Sequence, residues 1–147
     1  MISNNSNFPP ILLHGRKSPL KKIEAIVRRE NFPDIDNALK LAGINGLTFF
    51  DAEGRGRTKG REMISGRGAR TYQTEYVERT KLEIIVTDYD AKKVVDIILA
   101  HAKTGNVGDG KIFVSNVEQG YDITSGVAGE GSIVADEPQS YAVKARN

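Results

Sequence analysis

The fold is decided by residues 81–117, which read KLEIIVTDYDAKKVVDIILAHAKTGNVGDGKIFVSNV. The apolar run Lys81–Val86 predicts a strand. The segment after it places apolar side chains on one helical face, at Ala91, Val94, Val95, Ile98 and Ala102. Gly105 stands where a helix commonly ends, and Lys111–Val117 is again typical of a strand. These residues therefore predict a strand, a helix and a second strand.

The preceding half of the chain shows the same order of elements. Within Lys22–Arg28, Ile23, Ala25 and Val27 fall on one side and Glu24 and Ile26 on the other, which predicts a strand. Asp34 is a candidate N-cap and Gly43 a candidate stop for a helix between them. The apolar positions of that helix are Ile35, Ala38, Leu39 and Ala42. Gly46–Glu53 predicts a further strand, so the complete order is βαββαβ, a ferredoxin-like α+β fold with a four-stranded antiparallel sheet.

Both helices of such a fold lie on one face of the sheet, which leaves the opposite face uncovered. We expect that face to carry Ile26, Ile85 and Phe113. Exposed apolar patches of this kind mark interfaces, and a second copy of the chain is the economical partner. Scattered apolar side chains on an ordinary surface are the alternative explanation.

The composition is that of a soluble globular domain. Apolar residues make up 39% of the 147 residues and charged residues 27%. The net charge of +2 is too small to indicate a nucleic-acid partner. The absence of cysteine excludes a disulfide scaffold and a cysteine nucleophile. The apolar run Ile11–Leu13 is too short for a signal peptide or a membrane span, so we expect a cytoplasmic protein without membrane insertion.

Three regions are expected along the chain. Residues 1–19 are rich in Asn, Ser and Pro and predict a flexible extension, residues 20–120 form the folded domain, and residues 121–147 form a tail. Within the domain, the segment from Gly54 to about Arg79 consists mainly of Gly, Arg, Thr and Ser and has no helical or strand period. A loop of this length inside a compact domain is usually functional.

Two glycine-rich turns indicate a phosphorylated ligand. Gly108 and Gly110 flank Asp109, which permits a tight backbone turn whose N–H groups face an anion, and Lys111 adds a positive charge. The stretch Gly54–Gly60 offers a similar backbone with Arg57 and Lys59. A plain Gly-Asp-Gly turn entering a strand is the alternative. Neither turn is a Walker-type phosphate loop.

The sequence resembles the PII nitrogen-regulatory family over residues 20 to about 117. The stretches that carry the resemblance are Lys21–Arg28, Ala42–Thr48, Gly54–Gly60, Lys81–Val86 and Thr104–Val117. The resemblance implies a homotrimer that binds ATP or ADP between its subunits, often with Mg and 2-oxoglutarate. It also implies a signalling role, in which a long T-loop at about 56–79 docks on a transporter or an enzyme.

The same resemblance implies two groups of nucleotide-binding residues. The adenine group holds the base, with Glu83 facing the ribose, and consists of Gly46, Leu47, Thr48, Glu83 and Ile85. The phosphate group consists of Gly56, Arg57, Thr58, Gly108, Asp109, Gly110 and Lys111.

Four positions depart from the family's pattern and change the expected ligands. Thr58 and Arg79 stand where the family has the Gln and Lys that serve Mg and 2-oxoglutarate, which counts against both ligands. Asp122 and Thr124 stand where two arginines contact the outer phosphates. We therefore expect ADP or AMP to bind in preference to ATP. A divergent PII-like protein that is linked to carboxysomes or inorganic carbon and responds to ADP, AMP and bicarbonate is the alternative function.

Other functional classes fit the sequence less well. An enzyme is not expected, because no second carboxylate accompanies Glu83 or Asp109 at a useful spacing. Nucleic-acid binding through the arginines of the loop is opposed by the balancing acidic residues; these arginines are Arg55, Arg57, Arg61, Arg67 and Arg70. Tyr72 is a candidate for modification in the T-loop, where the family carries a uridylylated Tyr, although a plain contact role is favoured.

Overall fold

The computed structural model describes residues 19–64, 66 and 70–133. Its elements in chain order are β1 Leu20–Val27, α1 Phe32–Leu41, β2 Thr48–Gly54, β3 Glu62–Ile64, β4 Thr71–Gln73, β5 Val77–Thr87, α2 Asp88–Ala102 and β6 Gly110–Val117. Short 3-10 turns precede α1 and follow β6, at Arg29–Asn31 and Gly129–Ser132.

The main sheet has the strand order β2-β5-β1-β6, and every neighbouring pair is antiparallel. Ile23 at the centre of β1 pairs with Ile84 of β5 on one side and with Val114 of β6 on the other. The predicted ferredoxin-like fold is confirmed by this order and by the two helices. The strand inserted between β1 and β2 is β5, as the βαββαβ order requires.

The hydrophobic core lies between the sheet and the two helices. Alternate residues of β1 and β5 point into it because side chains of a strand alternate between faces. The sheet contributes Ile23, Ala25, Val27, Leu82, Ile84 and Val86, and the helices contribute Ile35, Leu39, Val94 and Ile98. Burial of one such Leu or Ile side chain contributes about 1.5–3 kcal/mol to stability.

Helix α1 begins earlier than the sequence pattern predicts. Asn31 occupies the N-cap position and Asp34 lies inside the first turn, so the prediction that Asp34 caps the helix is wrong. Pro33 explains the shift, because its fixed φ suits the first residues of a helix. The predicted stop is confirmed: Gly43 has φ of +82°, and the N–H of Ile44 donates to the carbonyl of Leu39 at 3.0 Å.

The segment between β2 and β5 contains strands that its sequence does not predict. Strands β3 and β4 form a hairpin in which Met63 pairs with Tyr72, and β5 begins at Val77, four residues before Lys81. The expectation that the segment lacks strand structure is therefore wrong. Paired strands of three residues are too short to show a period-two pattern, and every residue of β3 and β4 is exposed.

The open face of the sheet is less apolar than predicted. Ile85 is 36% exposed and Phe113 is 51% exposed on this face. Between them lies a ring of four charged side chains, Lys22, Glu24, Lys81 and Glu83, joined by N–O distances of 3.1–3.4 Å. The expected apolar surface is therefore divided by an ion network, because the charged residues of β1 and β5 alternate with the core residues and meet at the sheet centre.

The chain beyond β6 folds back onto the start of the sheet. A Cβ on Gly120 would lie 3.3 Å from Cδ1 of Leu20, which is 1% exposed. Tyr121 pairs with Ala128 to close a small hairpin. In the described part of the chain, no helix is long and apolar enough to cross a bilayer. Residues 1–18 of the expected extension (1–19) and residues 134–147 of the expected tail (121–147) lie outside the described residues.

Candidate functional site

A cavity of about 720 Å³ opens where β2 begins and β5 ends. It is lined by Gly43, Ile44, Asn45, Gly46, Leu47, Thr48, Glu83, Ile85, Val86, Thr87, Asp90, Ser132 and Ile133. All five residues of the adenine group are among them. The volume lies in the range of ordinary small-molecule sites, which are about 300–1,000 Å³.

The local fold explains why the adenine group meets. The glycine stop at Gly43 ends α1 and turns the chain through residues 44–47 into β2. Thr48, the first residue of β2, pairs with Glu83 of β5, so their side chains point to the same face. Ile85 lies two residues further along β5 and therefore on that face as well. The turn and the strand register together place these side chains along one wall.

Glu83 is already engaged by two lysines. Its Oε1 lies 3.1 Å from Nζ of Lys22 and 3.4 Å from Nζ of Lys81. The hydrogen bond from Lys22 lowers the pKa of Glu83, and the same contact raises the pKa of Lys22. A ribose hydroxyl at this carboxylate shares it with both ammonium groups, and the role of Glu83 toward ribose stays a prediction.

The glycine-rich turn at residues 104–110, called the phosphate turn below, is organised by the side chain of Asp109. Its Oδ2 accepts hydrogen bonds from the backbone N–H of Thr104 at 2.8 Å and of Gly105 at 2.9 Å. The hydroxyl of Thr104 donates to Oδ1, and Nε of Arg28 lies 3.2 Å from the same oxygen. These contacts, led by the Thr104 hydroxyl, lower the pKa of Asp109 to about 2. The carboxylate therefore stabilises the turn itself.

Residues from three other parts of the chain contact this turn. Arg28, just after β1, donates to the carbonyl of Val107 at 3.0 Å, and Arg79 of β5 donates to the carbonyl of Gly108 at 3.2 Å. A Cβ on Gly108 would overlap the hydroxyl of Thr58. The structure thus brings Thr58, Arg79 and the Gly108 turn together, and the glycine is required by their close approach.

Arg57 and Lys111 are two cations of this region whose side chains are unengaged within the described residues. Across the described ranges, neither side chain makes a hydrogen bond or an ion pair, whereas Arg28 and Arg79 both have protein partners. Lys111 follows Gly110, whose φ is +114° and whose position leaves no room for a Cβ beside the carbonyl of Ile26. An anion at the turn would find Lys111 directly after Gly110, and Arg57 is adjacent to Thr58, whose hydroxyl approaches Gly108.

Within one subunit the adenine group and the phosphate group do not form one site. Thr48 is the first residue of β2 and Gly54 the last, so Arg57 follows the opposite end of the strand. Six residues of strand correspond to roughly 20 Å. Lys111 lies three strands away from β2, and no residue of the phosphate group lines the cavity. The residues predicted to bind adenine and those predicted to bind phosphate therefore occupy two separate regions of one chain, called the two half-sites below.

The profile of the family described as "Nitrogen regulatory protein P-II" matches residues 20–131. This chain belongs to the PII family. The nitrogen regulatory protein P-II 2 of Methanothermobacter thermautotrophicus is 39% identical over 114 residues, which are 78% of this chain and 97% of that protein. The nitrogen regulatory protein P-II of Rhizobium meliloti is 40% identical over 114 residues, which are 78% of this chain and 100% of that protein. The names of these relatives are those of regulators.

Two solved PII structures are similar in fold. The GlnK structure from B. subtilis superposes with a TM-score of 0.62 at 31% identity and covers 77% of this chain and 97% of its own. The Arabidopsis thaliana PII structure bound to citrate has a TM-score of 0.65 at 30% identity and covers 82% and 95%. Membership of the family and the fold are thereby shown by sequence and by structure.

Asp122 and Thr124, which the sequence analysis predicts to replace two phosphate-binding arginines, lie in the hairpin after β6. Oδ1 of Asp122 accepts hydrogen bonds from the N–H of Ser125 at 2.7 Å and from its hydroxyl at 2.8 Å. The N–H contact lowers the pKa of Asp122. The carboxylate is therefore ionised and directed into its own turn.

The structure adds residues that the sequence pattern does not identify. Arg28 reaches the phosphate turn, and Thr87, Asp90, Ser132 and Ile133 line the cavity. Thr87 and Asp90 have a sequence signal, the spacing of an N-cap pair before α2, in which Thr87 accepts from the N–H of Asp90. Arg28, Ser132 and Ile133 have no sequence signal, because their place in the site depends on the tertiary fold. The hydrogen bonds of Arg28, for example, join residues 79 and 81 positions apart.

Tyr72 lies on β4 and is 55% exposed. Its neighbour across the hairpin is Met63, which is also exposed. This position is compatible both with modification and with contact to a protein. Arg67, one of the arginines considered for nucleic-acid binding, lies outside the described residues.

Proposed function

We propose that this PII protein is a homotrimeric signal transduction protein that binds ADP or AMP between its subunits and regulates a transporter or an enzyme through its T-loop. The observation that carries the proposal is the division of the nucleotide-binding residues into two half-sites on one chain. The cavity supplies a partly apolar wall for a base. The turn at 104–110 leads directly into Lys111, and the hydroxyl of Thr58, the residue after Arg57, approaches Gly108 of this turn.

The division of the site supports self-association. The two ends of β2 are roughly 20 Å apart, and Lys111 lies on β6, three strands away from β2. A nucleotide therefore contacts both half-sites only if a second copy brings its phosphate turn to the first copy's cavity. The open sheet face offers a surface for that copy, with Phe113 and Ile85 exposed beside the ion network. A closed ring of three copies uses the same interface three times.

The preference for ADP or AMP follows from the hairpin after β6. Asp122 and Thr124 supply one negative and no positive charge where the family has two arginines. Loss of two charge-assisted contacts lowers affinity by about a hundredfold or more, and the loss falls on the outer phosphates of ATP.

Binding of Mg and 2-oxoglutarate is disfavoured in this proposal. Arg79 stands at the position of the family's effector lysine, but it already donates to the carbonyl of Gly108. Thr58 offers one hydroxyl in place of an amide. The citrate bound to the Arabidopsis protein is a carboxylate ligand, so 2-oxoglutarate and bicarbonate both belong in the titrations. Bicarbonate binding favours the inorganic-carbon function.

The output is assigned to the segment between β2 and β5. Its hairpin projects Met63, Ile64 and Tyr72 into solvent, each at least 44% exposed, and an ion pair of 2.7 Å joins Arg55 to Glu75 near its base. A hairpin with exposed apolar and aromatic tips is suited to docking on a protein partner.

Calorimetric titration with AMP, ADP and ATP, with and without Mg, combined with light scattering, tests the proposal. We expect a trimer that binds ADP or AMP. A monomer at micromolar concentration, or the absence of heat with all three nucleotides, contradicts it. Gly46→Trp fills the cavity and Lys111→Ala removes a phosphate cation, so each variant alone is expected to abolish or weaken binding.

A further inference from the structure

We propose that Asp109 and Arg28 form a positioning pair that fixes the phosphate turn, and that Asp109 does not itself contact the nucleotide. This inference rests on the proposed nucleotide-binding function. Its basis is the set of partners around the carboxylate, all of which belong to the protein.

Both oxygens of the Asp109 carboxylate are occupied. Oδ2 receives the N–H groups of Thr104 and Gly105, and Oδ1 receives the hydroxyl of Thr104 and Nε of Arg28. A carboxylate in this state closes the turn from inside, as the side chain of an aspartate does in an Asx-type turn. It also carries the same charge as a phosphate, and direct contact with one would be repulsive.

Arg28 ties the closed turn to the sheet. Its guanidinium spans the turn, with Nε on Asp109 and Nη2 on the carbonyl of Val107. Arg28 itself follows the last residue of β1, and Val27 pairs with Gly110 in the main sheet. Two anchors therefore hold residues 107–110 of the turn. The guanidinium of Arg28 holds Val107 and Asp109, and the strand ladder holds Gly110.

The consequence of this anchoring is a fixed position for the groups that meet phosphate. Gly108 and Gly110 adopt φ of +97° and +114°, backbone conformations that the turn must hold in place. Lys111 follows directly, and its backbone is held in the strand ladder, where it pairs with Ile26 of β1. Preorganised donors lose less entropy on binding an anion than mobile ones do.

The test compares adenosine, AMP and ADP, because a positioning role for the phosphate turn predicts a loss that grows with the number of phosphates. We expect Asp109→Ala to weaken ADP binding about ten-fold or more, to weaken AMP binding less and to leave adenosine binding unchanged. Asp109→Asn keeps an acceptor for the backbone N–H groups and is expected to fall between Asp109→Ala and the wild type. Arg28→Lys is expected to resemble Asp109→Asn, since an ammonium cannot bridge Asp109 and Val107 together.

Asp96→Ala serves as the matched control. It also removes one carboxylate, but the ion pair that Asp96 makes is with Lys92, one turn away on the exposed side of α2. Its nucleotide affinities are expected to equal those of the wild type. Equal losses for adenosine and ADP in Asp109→Ala, or no loss in any ligand, overturn the inference.

Amide hydrogen exchange without nucleotide separates this inference from the proposed function. Asp109→Ala is expected to accelerate exchange at Thr104 and Gly105, whose N–H groups lose their acceptor. If the wild type binds no nucleotide, the proposed function fails whatever the exchange rates are. If the wild type binds ADP and the exchange rates do not change in Asp109→Ala, the positioning pair alone is wrong.

Discussion

Two turns of this PII protein are built around an aspartate carboxylate, one at residues 104–110 before β6 and the other at 121–129 after it. Asp109 has Arg28 as a partner from the end of β1, and Arg79 of β5 contacts the same turn. Asp122 has Ser125 as its partner, three residues away. The first turn is thus held by the tertiary fold, whereas the second is held by local contacts.

This difference indicates which of the two turns tolerates amino-acid substitutions. A locally closed turn keeps its shape wherever it is placed, because its hydrogen bonds form between residues close in sequence. A turn held by distant strands has a fixed position relative to the sheet, and two glycines of the turn at 104–110, Gly108 and Gly110, are confined by neighbours. The proposed function requires that fixed position of the turn at 104–110. The hairpin after β6 carries Asp122 and Thr124, where the sequence predicts a departure from the PII pattern.

The largest expected difference between the two turns is in the tolerance of their glycines. Gly110→Ala places a Cβ on the carbonyl of Ile26 at φ of +114°, and we expect the free energy of unfolding to fall by about 3 kcal/mol or more. Gly126→Ala meets open space at φ of +72° and should cost about 1 kcal/mol. Urea denaturation measures both, and similar losses would show that the two turns are equally constrained.

The next effect concerns nucleotide preference and the second turn. We expect the wild type to bind ADP or AMP in preference to ATP, and the double substitution Asp122→Arg/Thr124→Arg to raise ATP affinity about a hundredfold. Thr124→Arg alone keeps the Asp122 carboxylate in its turn and should raise ATP affinity about ten-fold. Titration calorimetry measures these nucleotide affinities. A wild type that binds ATP ten times more tightly than ADP contradicts the expectation.

The third prediction uses pH to compare the carboxylates. Because the folded pKa of Asp109 is about 2, below the value of about 3.9 in unfolded chains, its ionised form stabilises the fold above pH 4. This stabilisation is lost as the pH falls from about 4 to about 2. The stability difference between wild type and Asp109→Asn should therefore shrink over that range. Asp96→Asn is the control, and a difference independent of pH speaks against the mechanism.

The smallest effects are expected from the hydroxyl donors. Thr104→Ala removes the leading cause of the lowered pKa of Asp109, so carboxyl NMR titration should show that pKa rising toward its ordinary value. Ser125→Ala leaves the stronger N–H contact to Asp122 in place and should shift its pKa less. We expect Ser125→Ala to change stability by no more than about 0.5 kcal/mol. If Ser125→Ala shifts the pKa of Asp122 more than Thr104→Ala shifts that of Asp109, the expected order of the two effects is wrong.

Much of the fold could be predicted from local pattern. The alternation in β1, the single apolar face of α2 and the glycine after α1 are properties of residues close in sequence, and each predicted its element. The prediction that Asp34 is the N-cap was wrong because the cap depends on where the helix starts, and Pro33 favours a start at Phe32. The β3–β4 hairpin was missed because three exposed pairs leave no periodic signal.

The candidate site divides in the same way. The adenine and phosphate groups followed from the resemblance to the PII family, and the two glycine-rich turns by themselves indicated an anion. The cavity contains all of the adenine group. The sequence motifs did not identify Arg28, because its contact with Asp109 joins residues 81 positions apart. They also gave no distance between the two groups, since that distance depends on the strand order of the sheet.

The sequence by itself determined the family, the order of the elements and the kinds of residue available to an anion. Those properties are carried by periodicity, by glycine positions and by contiguous motifs, which do not require knowledge of distant neighbours. Only the tertiary structure decided that Asp109 closes its own turn, that Arg28 anchors it and that the half-sites lie apart. The physical reason is that hydrogen-bond partners and separations across a sheet are set by register and strand order, which bring together residues far apart in the chain.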